Sequence, residues 1–186
     1  MAPNDVVALG QANWRADDKT AARPTAGELQ PGLGHALHAV GRAMRRRFER
    51  SVRQAGLPIT RLQAALLIRI ARHPGLSQTA AASDLDVEPI ALVRMIDRLN
   101  EEGLVERRPH PTDRRVRTLW LTPLAWPVVN RILEINRAVR EEACAGLSAE
   151  ARRLLIETLG RMKNNLDAAD TAEAELVGQL AAGEGE

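Results

Sequence analysis

The chain has no tyrosine, one phenylalanine and three tryptophans in 186 residues, although 45% of it is hydrophobic. Its core must therefore be built from Leu, Ile, Val and Ala, with the strong helix formers Leu and Ala to the fore. Cysteine is almost absent as well. Cys144 stands alone, which excludes an internal disulfide and fits a reducing compartment. No apolar run approaches the roughly 18 residues of a membrane span. The opening stretch MAPNDVVALGQANWRADDKTAARP lacks the basic start and apolar middle of a secretory signal. A cytoplasmic chain with no membrane partner is the expectation. Lysine is scarce too: only Lys19 and Lys163 stand among 26 basic residues. The rest are arginine, whose planar fork suits phosphate better than an ammonium does.

What is present is clustered. The formal net charge is only +2, but arginines crowd two segments. Arg42, Arg45, Arg46, Arg47, Arg50 and Arg53 face a single Glu49, and Arg107, Arg108, Arg114, Arg115 and Arg117 face a single Asp113. From Asp167 onward every charge is acidic. A GC-rich genome explains the identity of the arginines but not their clustering.

Hydrophobic periodicity organises the rest. Residues 1–30 read as a polar extension carrying Trp14, closed by QPGLG at Gln30 to Gly34. Leu33, Leu37, Val40, Met44, Phe48 and Val52 make a helical stripe that Gly56 and Pro58 stop. Thr60 is placed to N-cap a second helix with Leu62, Leu66, Leu67 and Ile70 on its face, and Ser77 to cap a short Ala-rich one. After a turn through Asp86 comes EPIALVRMIDRLNEEG, with Leu92, Val93, Ile96 and Leu99 as its expected buried face and Gly103 as its stop. LVERR and VRTLWLT read as paired strands. Thr122-Pro123 reads as N-cap and first position of a long helix carrying Val128, Ile132, Ile135 and Val139, with Pro127 an awkward early member. A last helix from Ser148 carries Leu155, Leu159, Met162 and Leu166. The expected fold is mainly α with a small β-hairpin wing.

Two helices joined by a tight turn and followed at once by a hairpin form a winged helix-turn-helix, whose second helix lies in the DNA major groove. The apolar face of that helix turns inward, which leaves Glu88, Pro89, Ile90, Ala91 and Arg94 for DNA. The small apolar residues suit thymine methyls, and Arg94 suits a guanine or a phosphate. Ser77 and Gln78 open the preceding helix and suit a phosphate. Arg108, His110, Asp113, Arg114 and Arg115 belong to the wing, where a narrow minor groove attracts arginine.

The segment DLDVEPIALVRMIDRLNEEGLVERRPHPTDRRVRTLWLT resembles the core of the MarR family of bacterial transcription regulators. The likeness rests on Arg94-x-x-Asp97-x-Leu99, on GLVER leading into the wing, and on the D-x-R wing motif at Asp113, Arg114 and Arg115. It runs from about Leu33 to about Leu166. The resemblance implies a homodimer in which the first and last two helices interlock, bound to a pseudo-palindromic operator as a repressor. It implies that Arg115 enters the minor groove and that Asp113 holds the wing in shape. The expected organisation is an extension over 1–30, a first dimerisation helix over 31–56, a DNA-binding lobe over 57–122, dimerisation helices over 123–178 and a disordered tail over 179–186. One departure stands out. LTPLAWP has Ala125, Trp126 and Pro127 where the family usually has a glycine shortly after LT, which puts the angle of the following helix in doubt.

The resemblance also implies a small anionic aromatic effector, or its acyl-coenzyme A thioester, bound between the dimerisation helices and the DNA-binding lobe. His35, His38, Arg42, Arg45 and Arg46 on the first helix are the candidate ligands, since charge-assisted hydrogen bonds suit a carboxylate. Two other sensing modes are weaker. A metal at His35-x-x-His38 has no acidic or cysteine partner nearby in sequence, and redox switching at Cys144 places a thiol at the wrong helix end to lower its pKa. No phosphate loop, metal spacing or nucleophile triad points to an enzyme, and no cofactor is expected. A non-specific architectural module remains the alternative, distinguished by binding every duplex alike.

Overall fold

A computed structural model describes residues 32–110, 112 and 116–183. Contacts divide the chain into Met1–Ala39 and Val40–Glu186. The order is α1 (Leu33–Gln54), α2 (Arg61–Arg72), β1 (Leu76–Ser77), α3 (Gln78–Leu85), α4 (Pro89–Glu101), β2 (Val105–Pro109), β3 (Arg117–Leu121), α5 (Ala125–Ala143) and α6 (Ala149–Gly183). The expectations for residues 1–30, including Trp14, lie outside the described residues.

Local chemistry sets the boundaries. Thr60 Oγ1 accepts from the Gln63 amide at 3.2 Å, and the Thr60 amide donates to Gln63 Oε1 at 2.7 Å. This reciprocal capping box satisfies two amide donors at the start of α2, and it explains how Gln63 can be 3% exposed. Ser77 Oγ accepts from the Ala80 amide at 3.1 Å and starts α3. Asp86, at φ 50°, closes α3 in the left-handed region, which an aspartate tolerates better than a branched residue. Three residues later Pro89 opens α4, at a position where its missing N–H costs nothing.

The core lies where α2, α3 and α4 meet the sheet and α5 packs against α2. Leu66, Leu67, Ile70, Leu92, Ile96, Leu99, Leu119 and Ile132 are each fully buried, and Phe48 and Val52 of α1 join them. Removing such a side chain from water stabilises by about 1.5–3 kcal/mol. The sheet is antiparallel in the order β1-β3-β2, with Val105 opposite Leu121, Arg107 opposite Leu119 and Pro109 opposite Arg117. The third strand, β1, was not expected. Two residues are too few to show alternation, and they are held only by pairing Leu76 with Leu119 and Ser77 with Thr118.

Three local expectations change. Val93 is 36% exposed rather than buried, because the face that meets the core runs through Leu92, Ile96 and Leu99. Thr122 does not cap α5. Its hydroxyl donates to the Gly103 carbonyl at 2.6 Å, and a turn with Ala125 N–H on Thr122 O delays the helix to Ala125. Pro127 then falls in the first turn of α5, where no intrahelical donor is lost. Finally, α6 does not give way to a disordered tail at 179 but continues to Gly183, its Ala- and Glu-rich sequence keeping good helix propensity. Residues 184–186 lie outside the described residues.

Candidate nucleic-acid interface

The turn between α3 and α4 presents the first turn of α4 to solvent. Glu88, Pro89, Ile90, Ala91 and Arg94 are all exposed, Ile90 to 64%. Glu88 makes no side-chain cap on the helix it precedes, so its carboxylate stays available. Val93, which sequence reasoning had assigned to the core, joins this surface. Behind it Ser77 and Gln78 are half-buried, and the Ser77 hydroxyl oxygen is already engaged by the Ala80 amide. That leaves the α3 start with the Ser77 hydroxyl proton to offer, a smaller polar surface than expected.

The wing is bound to α4 by charge. Arg107 Nη2 donates to Asp97 Oδ1 at 2.6 Å, across ten residues of sequence. Arg107 shares the inner face of its strand with Val105, so its side chain is spent on the helix rather than offered to a ligand. The outer face holds Glu106, Arg108, Thr118 and Trp120, paired across the strands as Glu106 with Trp120 and Arg108 with Thr118. Arg108 Nε donates to Glu106 Oε1 at 3.0 Å, and its guanidinium lies 4.7 Å from the Trp120 ring centroid. His110 closes the described part of the hairpin: its amide donates to the Val116 carbonyl at 3.0 Å, and its Nδ1 sits 3.1 Å from Thr112 Oγ1. Asp113, Arg114 and Arg115 lie outside the described residues.

A cleft opens beside this lobe, among α1, α2 and α5. It encloses about 370 Å³. Met44, Phe48, Ala65, Ile68, Leu85 and Val139 give it an apolar lining, while Arg45, Arg61, Arg69 and Arg72 supply positive charge and Asn136 an amide. Arg69 is partly neutralised by Asp84, to which its Nε donates at 2.6 Å. Of the five residues expected to hold a ligand, only Arg45 lines this cleft. Arg42 and Arg46 are exposed on α1, as are His35 and His38 near its start. The arginines of α2 were missed, although Arg61, Arg69 and Arg72 share one helical face opposite the Leu66 stripe, a signal present in the sequence.

Elsewhere α1 and α5 are tied by a two-pronged ion pair. Arg47 Nε and Nη2 donate to the two oxygens of Glu142 at 2.6 and 2.7 Å. This hydrogen-bonded pairing holds the Glu142 carboxyl below the usual carboxylate range and raises the Arg47 guanidinium above its ordinary value. Cys144 is half-buried at the end of α5, and its carbonyl accepts from Arg152 at 2.8 Å. Among the described residues no group of three His, Cys, Asp or Glu side chains is placed to hold a metal, and no helix is long and apolar enough to cross a membrane.

Comparison with known proteins gives this geometry a context. Residues 59–116 match the sequence model of the MarR family. A Thauera aromatica protein assigned as the transcriptional regulator of the hcr operon is 34% identical over 139 residues, or 73% of this chain and 81% of that one. The repressor CouR, in a structure with a 23-mer DNA duplex, superposes with a TM-score of 0.65 at 26% identity, covering 76% of this chain and 99% of CouR. A mutant MarR from E. coli, solved with operator DNA, gives a TM-score of 0.64 at 26% identity, over 75% of this chain and 99% of that one. With the helix-turn-helix, the arginine-bearing wing and these likenesses in agreement, the chain belongs to the MarR family of DNA-binding transcriptional regulators.

Proposed function

We propose that the chain works as a homodimeric repressor that holds a pseudo-palindromic operator and releases it when a small anionic aromatic molecule occupies the α1–α2–α5 cleft. The observation that carries the ligand half of this reading is the cleft itself: an apolar chamber with arginines at its edge, within the about 300–1,000 Å³ range of small-molecule sites. An aromatic ring fits the Met44, Phe48 and Ile68 lining. A carboxylate fits Arg45, Arg61 or Arg72, none of which has an acidic partner among the described residues. The DNA half rests on the exposed first turn of α4 beside the wing, with Ile90, Ala91 and Arg94 reading bases and Arg108, Arg114 and Arg115 meeting the backbone and minor groove.

The dimer rests on α6. None of its described side chains is buried, and Leu154, Leu155, Ile156, Leu159 and Leu166 are exposed. So large an apolar surface on one chain calls for a partner, and a second copy joined through α1, α5 and α6 supplies one. An acyl-coenzyme A thioester is a second reading of the effector. A further groove shares Ile68, Arg72 and Asn136 with the cleft and adds Arg137 and Arg140, which suit phosphates. Calorimetric titration with phenolic acids, their coenzyme A thioesters and coenzyme A alone tests both. Binding that weakens at least tenfold in Arg45→Ala or Arg72→Ala is expected. No heat from any of these probes, with the dimer intact, removes the aromatic-effector reading.

A further inference from the structure

The outer face of the wing holds a self-contained arrangement that the proposed DNA contacts do not explain. Arg108 has two intramolecular partners at once. Its guanidinium is hydrogen-bonded to Glu106, two residues back on the same face of the strand, and lies 4.7 Å from the centroid of the Trp120 ring. The ring is itself fixed from three sides. Trp120 Nε1 donates to Thr118 Oγ1 at 3.0 Å, and that hydroxyl donates in turn to the Arg108 carbonyl at 3.0 Å. Beneath the indole lies Gly75, at φ +84°, where a Cβ would come within 3.1 Å of Trp120 Cζ2. The Gly75 amide donates to the Leu119 carbonyl, so turn and strand move as one piece.

Each part has a physical consequence. A guanidinium over an indole is attracted by the negative face of the ring and loses less freedom when it makes its next contact. Arg108 Nε and Nη2 both donate to Glu106 Oε1, so a single anionic oxygen takes both prongs of the guanidinium fork, as one phosphate oxygen can. We infer that Glu106 is an internal stand-in for a DNA phosphate on Arg108, and that Trp120 is the positioning residue holding Arg108 ready for the exchange. Resting on the wing reading above, the inference adds that Arg108 trades Glu106 for a backbone phosphate on binding. Loose, non-specific encounters leave the Glu106 pair intact. Only a duplex seated by its base contacts on α4 brings a phosphate close enough to displace it, so the pair raises the threshold for wing engagement.

A double-mutant cycle read by DNA-binding anisotropy at several salt concentrations tests this. Glu106→Gln is expected to tighten duplex binding about 3- to 10-fold, most on non-operator DNA, and so to lower the specificity ratio. Arg108→Ala should weaken binding and reduce the slope of log affinity against log salt by about one, the signature of one lost phosphate contact. In the Arg108→Ala background, Glu106→Gln should have no effect. Trp120→Leu should reproduce the Arg108→Ala loss and salt slope, and Trp120→Phe, which keeps a ring face, should restore most of the affinity. Near-ultraviolet and far-ultraviolet circular dichroism identify any variant that fails to fold, in which case Trp120→Phe carries the comparison with wild type. An equal gain from Glu106→Gln with and without Arg108 would reduce Glu106 to a long-range charge and overturn the exchange. Equal losses in the Phe and Leu variants would overturn the positioning role of Trp120. Wild-type protein that binds no duplex would remove the operator reading and this inference together, whereas operator binding with an additive cycle removes only this one.

Discussion

Arg107 Nη2 and Asp97 Oδ1 lie 2.6 Å apart, and through this pair the first wing strand is locked to α4, the helix proposed to enter the groove. The Asp97 side chain is 51% exposed and that of Arg107 26%, so the pair is screened by solvent. An ion pair in that setting contributes about 0.2–1 kcal/mol. In the proposed DNA complex its larger effect is on geometry, because the base-reading residues of α4 and the wing arginines meet one duplex at the same time. Asp97→Asn is expected to lower unfolding free energy by less than about 1 kcal/mol while weakening operator binding by about tenfold, or 1.4 kcal/mol. Parallel urea melts and operator titrations check this. Equal, small changes in both would show that wing and helix need no tie.

Two isoleucines on α4 separate stability from recognition. Ile96 is fully buried and Ile90 is 64% exposed. Ile96→Ala should cost about 2–5 kcal/mol through lost burial and the cavity left behind. Ile90→Ala should change stability by no more than about 0.5 kcal/mol, yet it should relax preference for thymine at the contacted position. Denaturant midpoints and a binding-site selection profile decide between these. A stability loss at Ile90 would show that it is covered, in the dimer or by another part of the chain.

Arginines of α4 and the wing, the two elements proposed to contact DNA, should differ in kind. Arg94→Ala is expected to cost about 1–3 kcal/mol on the operator and to relax base preference at one position. Arg115→Ala should weaken operator binding and leave the dimer intact. Sedimentation or light scattering alongside anisotropy gives both quantities. Loss of the dimer in Arg115→Ala would put that residue outside the wing's DNA contact, and an unchanged preference profile in Arg94→Ala would take α4 out of the groove.

The tie between α1 and α5 is sensitive to acid. Hydrogen bonding from Arg47 depresses the Glu142 carboxyl, so its folded pKa lies below its unfolded one. The contribution of the pair is therefore complete above the ordinary carboxylate range and is lost as pH falls through the depressed folded value. Following the Glu142 side chain by NMR should give a low titration midpoint in wild type and a higher one in Arg47→Gln. High salt should narrow the difference, since both groups are solvent-accessible. Identical midpoints in the two proteins would dissolve the tie.

Much of this was legible in the sequence where one residue type settles a local question. Thr60, Ser77 and Gly103 mark helix ends through caps and a positive φ, and the structure shows those ends. The apolar period placed Leu92, Ile96 and Leu99 in the core. Val93 was misplaced because one residue of helix is a 100° turn, and a wide apolar stripe does not reveal its own edge. Thr122 was misread because a threonine before proline has the form of an N-cap, while the Gly103 carbonyl that claims its hydroxyl is nineteen residues away in sequence. The short strand β1 and the seat of Trp120 on Gly75 depend on pairing across more than forty residues, which no local pattern encodes. The cleft is the clearest case of partial legibility. Arginine clustering drew the reading to α1, yet four arginines from two helices meet only once the chain has folded, and Arg45 alone lies in both sets.

The measurement that bears most directly on the account is fluorescence-anisotropy binding of the purified protein to its own upstream region and to a scrambled duplex of the same composition, at near-physiological salt. A repressor of the proposed kind whose operator lies upstream of its own gene prefers that region by about 10³-fold or more. Equal, weak binding to both duplexes, falling together as salt rises, would contradict an operator in its own upstream region and leave either a target elsewhere or a winged helix that holds DNA by charge alone.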